Sequence, residues 1–345
     1  MTVPLYPLML EPLLKERIWG GDSLVALHRL EGRGVERGAT PFGESWLLCD
    51  DNVVSNGALR GKRVVEVVAE WGEDLLGSAN LASYGTKLAL MAKFLDAADD
   101  LSIQVHPDDA YAREHEAHTG HLGKSEAWYV LAAAPGAEVV WGFNRTFSAD
   151  EVRTAVADGS LDELLNRVPV APGDVIVNPA GTVHAVGAGL LLFEIQQASD
   201  LTYRLYDYGR RDPAGNLREL HVDKALAIAD LARADPAQAR GTGSNHGGST
   251  GPTPGSTAWR PLVATPQFTL HGTRVEGALD CSTSAESFDL LVLVTGGVSL
   301  VAGDGSEAIT LERGDAALLP AALGQYRLAG TGEVLRSRVA SGVDV

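Results

Sequence analysis

The sequence predicts a mainly β protein with inserted helices, in which two related β-barrels follow each other along the chain. Three observations lead to this fold class. Short apolar runs separated by glycine turns fill the last hundred or so residues, strand-like segments recur in the middle of the chain, and one strand–turn pattern occurs twice. Short strands at such spacing are typical of all-β sandwiches and barrels.

Strands and inserted helices are expected in alternation before residue 240. Apolar patterning predicts four strands, at 101–105, 126–132, 175–177 and 190–196. The helical insertions are expected at about 61–77, 107–122, 148–168 and 219–234. The third insertion has the clearest start signals, because Ser148 with Glu151 and Ser160 with Glu163 both have the spacing of a capping box.

The clearest change in composition divides the chain near residue 250. The stretch 241–257 is rich in Gly, Ser, Thr and Pro and has no apolar periodicity, which predicts a linker or a long loop. Residues 1–240 are then expected to form one domain that includes the helical insertions. Residues 258–345 are expected to form a second, smaller β domain.

The repeated pattern indicates that the two domains are copies of one unit. The segment from Gly173 to His184 reads G-x5-P-x-G-x2-H, in which a strand enters a tight turn and presents the histidine. The segment from Gly314 to Gln325 has the same spacing, but Ala322 replaces the second glycine and a glutamine replaces the histidine. We therefore expect a duplicated barrel whose second copy is degenerate and structural.

Four side chains of the first copy form a candidate metal site. Gln104 and His106 share one face of the strand LSIQVH, and Glu126 begins the strand EAWYVL. With His184 they offer two imidazole nitrogens, one carboxylate oxygen and one amide oxygen. Such a set suits one Zn²⁺ or a similar divalent ion and leaves room for water or substrate, as in a catalytic site.

Composition limits the class of function. The formal net charge of −17 argues against nucleic-acid binding, which needs a basic surface. No apolar run reaches membrane-spanning length, and the N-terminus lacks the layout of a signal peptide. Only Cys49 and Cys281 are present, which excludes a cysteine zinc site and favours a reducing cytoplasm. We expect a cytoplasmic monomer or homodimer without nucleic-acid or membrane partners.

Longer motifs resemble a known family. They are EPLLKERIWGG near the N-terminus, GESW at 43–46, KFLDAADDLSIQVHPDD at 93–109, GKSEAWYVL at 123–131, NPAGTVHAVG at 178–187 and FEIQQASDLTYRLYDYGR at 193–210. Together they resemble the type I mannose-6-phosphate isomerases, zinc enzymes of the cupin superfamily, in their compact bacterial form. The resemblance covers about the first two-thirds of the chain.

The resemblance implies two cupin-type jelly-roll barrels, the first catalytic and the second degenerate. It implies interconversion of mannose 6-phosphate and fructose 6-phosphate through an enediol, with the same four metal ligands. It also assigns Arg204 and Lys124 to catalysis and Ser102 to the ligand strand, where it would bind the substrate.

The chemistry of a sugar phosphate suggests the remaining roles. Glu194 lies on a predicted strand between His184 and Arg204 and is the leading candidate for the general base. Its alternative is a buried carboxylate paired with Arg204. Arg204 and Arg210 are the leading candidates for binding the phosphate and Lys93 is a further one, since an anion needs local cations in a chain of net charge −17. Arg210 could equally lie in a solvated turn.

Other functions stay open at this point. A cupin that acts on a different sugar would keep the same metal site, because specificity depends on the shape of the pocket. A cupin oxygenase with Fe²⁺ would be expected to have more histidine ligands. A sugar-binding cupin without turnover would bind sugar phosphate and release it unchanged.

Overall fold

The computed structural model describes residues 4–30, 38, 40–211, 214–242, 259–303 and 307–341. Strands dominate this part of the chain and the helices are short, which confirms the predicted mainly β fold with inserted helices. No helix within the described ranges is long and apolar enough to cross a membrane. Only residues 241 and 242 of the linker predicted at 241–257 are described, and the rest of that linker lies outside the described residues.

The strands, numbered in chain order, form three sheets. Six of them make the first sheet, in the order β10-β7-β12-β5-β3-β2 and with antiparallel neighbours throughout. They are β2 (Leu13–Gly21), β3 (Phe42–Leu48), β5 (Leu90–Ala97), β7 (Glu126–Ala133), β10 (Val175–Asn178) and β12 (Leu190–Gln197). This sheet includes three of the four strands predicted from the sequence, with bounds that agree to within a residue.

The second sheet is smaller and has the order β13-β6-β11-β8-β9. Its strands are β6 (Ile103–Val105), β8 (Glu138–Phe143), β9 (Leu165–Pro169), β11 (His184–Val186) and β13 (Tyr203–Tyr206). An apolar cluster that includes Trp19, Trp128 and Trp141 contains residues of both the first and the second sheet. Side chains from the start of β7, the start of β11 and the residue that follows β6 converge at one place, described below.

The third sheet contains the C-terminal strands and two strands from near the N-terminus. Its main path is β14-β15-β19-β16-β18-β1-β4, and β17 pairs with β16. The strands are β1 (Leu8–Glu11), β4 (Val53–Val54), β14 (Arg260–Ala264), β15 (Phe268–Ser282), β16 (Asp289–Ala302), β17 (Ile309–Glu312), β18 (Ala316–Leu319) and β19 (Gln325–Val339). Leu8 pairs with Leu318, so the N-terminal strand extends the C-terminal sheet.

The helices lie in the connections between strands. They are α1 (Ser23–Leu27), α2 (Val64–Trp71), α3 (Glu73–Leu76), α4 (Ser78–Tyr84), α5 (Asp109–His115), α6 (Ala149–Asp158) and α7 (Val222–Ile228). Each predicted insertion contains helix, but the insertions are less helical than expected. The insertion predicted at 219–234, for example, is α-helical only in α7.

The insertion predicted at 148–168 needs a correction. The capping box of Ser148 and Glu151 is present and starts α6. Gly159, with φ +84°, ends that helix, and the side chain of Ser160 makes no capping hydrogen bond. A short 3₁₀ turn follows, and then β9 pairs with β8. Residues 165–168 are therefore a strand, because pairing with a distant strand overrides the helical spacing of their leucines.

The closed barrels implied by the resemblance are also corrected. In the described part of the chain all three sheets are open paths, whose edge strands have a single neighbour. The duplication itself is supported, because the strand order β10-β7-β12-β5-β3 recurs as β18-β16-β19-β15-β14. One large core joins the two copies, since Phe94 and Phe193 of the first sheet share a buried cluster with Phe268 of the third.

Candidate metal centre

Three of the predicted metal ligands converge in the interior. The ligand atoms of His106, Glu126 and His184 all lie within 4.8 Å of one another. His184 Nε2 is 3.2 Å from Glu126 Oε1, and His106 Nε2 is 3.4 Å from Glu126 Oε2. All three side chains are buried, with at most 1% of the surface of each residue exposed.

Local structure explains the position of each group. Glu126 is the first residue of β7 and lies opposite Asn178 of β10. His184 is the first residue of β11 and follows a turn in which Gly181 has φ +85°, a conformation that favours glycine. The backbone N–H of Gly181 donates to the His106 carbonyl at 2.9 Å, which ties the turn to the other histidine, the residue that follows β6.

Both imidazole rings are held by backbone carbonyls on the side away from the cluster. His106 Nδ1 is 2.8 Å from the Leu201 carbonyl, and His184 Nδ1 is 2.8 Å from the Thr182 carbonyl. A carbonyl can only accept, so each Nδ1 is the protonated nitrogen and each Nε2 lone pair faces Glu126. Such outer contacts are what orient histidine ligands in metal sites.

The chemistry of the cluster fits a divalent cation. Burial and the nearby Lys124 ammonium lower the pKa of His106 to about 3, so its ring is neutral, as a ligand must be. Burial alone would raise the pKa of Glu126, but the Lys124 ammonium beside it outweighs burial and holds that pKa well below the usual range. His184 Nε2 is buried and makes no hydrogen bond to any described residue. A cation would satisfy it.

Gln104 is the fourth predicted ligand. It lies directly opposite His184 in the pairing of β6 with β11, and its side chain lines the adjoining cavity. Its role as a ligand stays a prediction.

A cavity of about 620 Å³ opens beside the cluster. Among its lining residues are most of the side chains that the sequence singled out, namely Lys93, Ser102, Gln104, Lys124, Glu194 and Arg204. Five further charged residues also line it and had been given no role, namely Glu16, Arg17, Glu44, Asp200 and Arg218. Arg17 and Glu44 stand in the motifs KERIWGG and GESW, so the resemblance carried a signal for them. No local pattern pointed to Arg218.

Lys124 connects the cluster with the cavity. Its Nζ is 2.9 Å from Glu126 Oε2 and 3.2 Å from His106 Nε2. The residue is 3% exposed, so its ammonium is a buried charge whose compensation comes from the Glu126 carboxylate. Lys124 therefore lies beside the predicted metal ligands Glu126 and His106.

Glu194 is held by two neighbours in the cavity wall. Its Oε1 is 3.1 Å from Lys93 Nζ, and its Oε2 accepts a hydrogen bond of 2.8 Å from Trp128 Nε1. The suggested pairing of Glu194 with Arg204 is wrong, because Lys93 is the partner. Burial lowers the pKa of Lys93, but the carboxylates of Glu194 and Glu44 outweigh it and raise that pKa overall.

The two arginines expected near the substrate have different surroundings. Arg204 lines the cavity opposite Gln104 in the pairing of β13 with β6, and its Nη1 donates to the Glu219 carbonyl at 2.8 Å. Arg210 is absent from the described cavity wall. Its guanidinium binds the Asp207 carboxylate at 2.5 Å and the Asp100 carbonyl, which holds it in a fold-stabilising position.

Comparison with known proteins identifies the family. The model of the type I phosphomannose isomerase catalytic domain matches residues 8–127, and that of the mannose-6-phosphate isomerase cupin domain matches residues 261–339. The mannose-6-phosphate isomerase of Streptococcus mutans is 35% identical over 96% of this chain and 98% of its own length. The chain belongs to the type I phosphomannose isomerase family. A second relative, the mannose-6-phosphate isomerase ManA of Bacillus subtilis, is also 35% identical, over 96% of this chain and 99% of its own.

A solved structure supports the same assignment. The crystal structure of the mannose 6-phosphate isomerase from Bacillus subtilis has a TM-score of 0.77 and 30% identity, and covers 96% of this chain and 99% of that one. The two family models do not cover His184 and Arg204, which lie between the ranges that they match. The alignments with these relatives extend over nearly the full length of the chain. They therefore cover the whole candidate site.

Proposed function

We propose that this chain is a metal-dependent isomerase that interconverts mannose 6-phosphate and fructose 6-phosphate through an enediol. The observation that carries the proposal is the buried cluster of His106, Glu126 and His184 next to a cavity lined by Lys124 and Glu194. Family membership adds the substrate, since the relatives described above are named mannose-6-phosphate isomerases.

The ligand set that we propose for one Zn²⁺ per chain is Gln104, His106, Glu126 and His184. Two imidazoles, a carboxylate and an amide match the nitrogen and oxygen ligands that zinc accepts. Bound there, the ion would supply Lewis-acid chemistry, which stabilises negative charge on the oxygens of the sugar.

The side chains of the cavity would transfer the protons and stabilise the charge of the intermediate. Isomerisation removes a proton from carbon 2 of the aldose and returns one to carbon 1. Glu194 is our general base, because its carboxylate lines the cavity and is fixed by Trp128 and Lys93. Lys124, which contacts Glu126 and His106, places positive charge where the enediol oxygens develop negative charge. Arg204 supplies a second cation in the same cavity wall.

Substrate binding would use other groups of the same wall. The Ser102 hydroxyl can exchange hydrogen bonds with a sugar hydroxyl, and the Lys93 ammonium can donate to a sugar oxygen. Arg210 was expected to bind phosphate directly. Since it lies outside the described cavity wall, we assign it the indirect role of positioning Asp207.

We also propose finer statements about the whole protein. Residues 1–240 would form the catalytic jelly-roll unit and residues 258–345 its degenerate copy, as the repeated strand order suggests. The protein would work in the cytoplasm as a monomer or homodimer and without nucleic acid. The two cysteines, both buried and unpaired, are compatible with a reducing compartment.

A coupled assay tests the proposed function. Zinc-loaded protein should convert mannose 6-phosphate, should lose that activity with a chelator, and should turn over glucose 6-phosphate and free mannose much more slowly. Glu194→Gln should lower kcat about 100- to 10,000-fold, the usual contribution of a general base, with a similar affinity for the sugar phosphate.

The matched control is Glu73→Gln, which removes an exposed carboxylate from α3, away from the cavity. It should leave kcat unchanged. Tight binding of mannose 6-phosphate without turnover by the wild type would instead support the sugar-binding alternative. Faster turnover of another aldose would support an isomerase of different specificity.

A further inference from the structure

Five cations line the cavity, and three of them have a close carboxylate partner. They are Arg17, Lys93, Lys124, Arg204 and Arg218. Lys93 pairs with Glu194, and Lys124 pairs with Glu126. Arg17 holds Glu44 in two hydrogen bonds, of 2.8 and 3.1 Å. Their charges are therefore largely compensated within the protein.

Arg204 and Arg218 are compensated less well. Arg204 forms no ion pair with a described carboxylate, and its buried Nε has no hydrogen-bond partner among the described residues. Arg218 Nη1 lies 3.4 Å from Asp207 Oδ1, an oxygen that already accepts a hydrogen bond of 2.5 Å from Arg210. Arg218 thus shares a carboxylate with an arginine that is bound more closely.

The two guanidinium groups lie near each other. Burial lowers the pKa of Arg204, and the charge of Arg218 lowers it further. Arg218 in turn has a lowered pKa, through burial and through the nearby charges of Arg210 and Arg17, although Asp207 opposes them. Like charges gathered on one wall raise the free energy of the protein alone, and an anionic ligand would relieve that repulsion.

The orientation of Arg218 is unusual for its segment. Residues 214–217, 219 and 220 are all exposed, and they include Leu217 at 57% and Leu220 at 39% exposure. Arg218 alone in this segment is partly buried, and it lines the cavity. A segment that exposes leucines and turns an arginine inward places that arginine against the interior cavity rather than against solvent.

We propose that Arg218, together with Arg204, binds the phosphate group of the sugar phosphate. This inference rests on the proposed function and deepens it, because it names the phosphate site. Arg204 lies across from Gln104 on the neighbouring strand, so the phosphate would occupy the β13 side of the cavity. Two guanidinium forks match phosphate oxygens in geometry and charge. Of the two arginines expected at the phosphate from the sequence, Arg204 keeps that role and Arg218 takes the place of Arg210.

Calorimetry with an unreactive ligand pair tests the proposal. Sorbitol 6-phosphate has the phosphate but lacks the carbonyl that isomerisation needs, and sorbitol lacks both. Zinc-loaded Arg218→Gln should bind sorbitol 6-phosphate roughly 10- to 100-fold more weakly than wild type, the usual loss for a hydrogen bond to a charged group. Its affinity for sorbitol should not change. Arg218→Lys, which keeps the charge but loses the fork, should give an intermediate loss.

The matched control is Arg211→Gln, which removes the same charge from the same loop outside the cavity. It should bind sorbitol 6-phosphate as wild type does. Equal binding by wild type and Arg218→Gln, or an equal loss in Arg211→Gln, would overturn the proposal. Thermal unfolding of each variant confirms that it is folded.

The proposed function is judged separately, by turnover of mannose 6-phosphate. In Arg218→Gln the KM for this substrate should rise by the same factor as the dissociation constant, with kcat within a few-fold of wild type. A wild type that binds sorbitol 6-phosphate through Arg218 but has no turnover would refute the isomerase and keep the phosphate site.

Discussion

Glu126 and Asp289 are fully buried carboxylates at equivalent places in the two repeated units. In the first unit, Gly173 N–H donates to the Val130 carbonyl, four residues after Glu126. In the second, Gly314 N–H donates to the Leu293 carbonyl, four residues after Asp289. The backbone therefore offers the same position for an acid twice.

The surroundings of the two acids differ. Glu126 faces two imidazoles and the Lys124 ammonium, and the cavity opens beside them. Asp289 is bound by Arg338 through two hydrogen bonds, of 2.5 and 3.0 Å, and it accepts another of 3.2 Å from the Tyr326 hydroxyl. Burying a carboxylate costs free energy in both units. In the first unit the Lys124 ammonium offsets that cost, in surroundings that suit a metal, and in the second the Arg338 guanidinium offsets it.

The turn that follows explains part of this divergence. In the first unit the positive φ falls on Gly181, and His184 comes out buried. In the second it falls on Gly324, after a 3₁₀ turn at 321–323, and Gln325 comes out exposed. The glycine with positive φ thus lies at a different place in the two turns. The last residue of the turn is buried in the first unit and exposed in the second.

Exchanging the residues at the ends of the two turns, His184 and Gln325, should have the largest effect. His184→Gln removes one imidazole, so we expect loss of bound zinc and a kcat/KM at least about 1,000-fold lower, since metal assistance supplies several kcal/mol. Metal analysis and the isomerase assay measure this. The reciprocal Gln325→His is the control and should add no zinc, because residue 325 is exposed and the described residues hold no second group of three potential metal ligands. A second equivalent of zinc in that variant would contradict the comparison.

Breaking the ion pair of the second unit should mainly reduce stability. Arg338→Met leaves Asp289 buried without its closest cation, which should lower the free energy of unfolding by about 3 kcal/mol. Urea unfolding measures the change, and zinc content should stay as in wild type. Arg327→Met is the matched control on the same strand, because its ion pair with Asp280 is exposed and contributes little. Equal losses in both variants would show that Asp289 is not balanced by Arg338.

The smallest expected effect belongs to the glycine turn. Gly181→Ala forces alanine into φ +85° and places its Cβ 3.2 Å from the Ile228 carbonyl oxygen, which should cost about 1 to 2 kcal/mol of stability. Ala322→Gly, at the matching position of the second unit, relieves no positive φ and should change stability by less. Urea unfolding compares the pair, and a larger loss for Ala322→Gly would reverse the argument.

Short-range patterns were enough to predict much of the site. Period-two spacing placed Gln104 and His106 on one strand face, and the glycine turn marked His184, since both patterns depend on neighbours in sequence. The strand at 165–168 was missed because its pairing with β8 is long-range. Arg218 was missed because nothing within its exposed segment shows which side chain turns inward.

The counterpart of Glu126 shows the same limit. Asp289 has no matching local motif, and its equivalence becomes visible only when the hydrogen bonds of Val130 and Leu293 are compared. The pairing partner of Glu194 was wrong for a related reason. Lys93 lies on β5, one strand across in the sheet, and such cross-strand register is set by the whole sheet rather than by nearby residues.

The pairing of β1 with β18 has a consequence for how the chain is made. Leu8 cannot pair with Leu318 until that residue has been synthesised. A ribosome adding roughly 5 to 20 residues per second reaches it roughly 15 to 60 s after Leu8. During synthesis the first strand therefore has an unpaired edge while most of the protein emerges. Completion of the third sheet is a late, slow event, since contacts so distant in sequence close a very large loop.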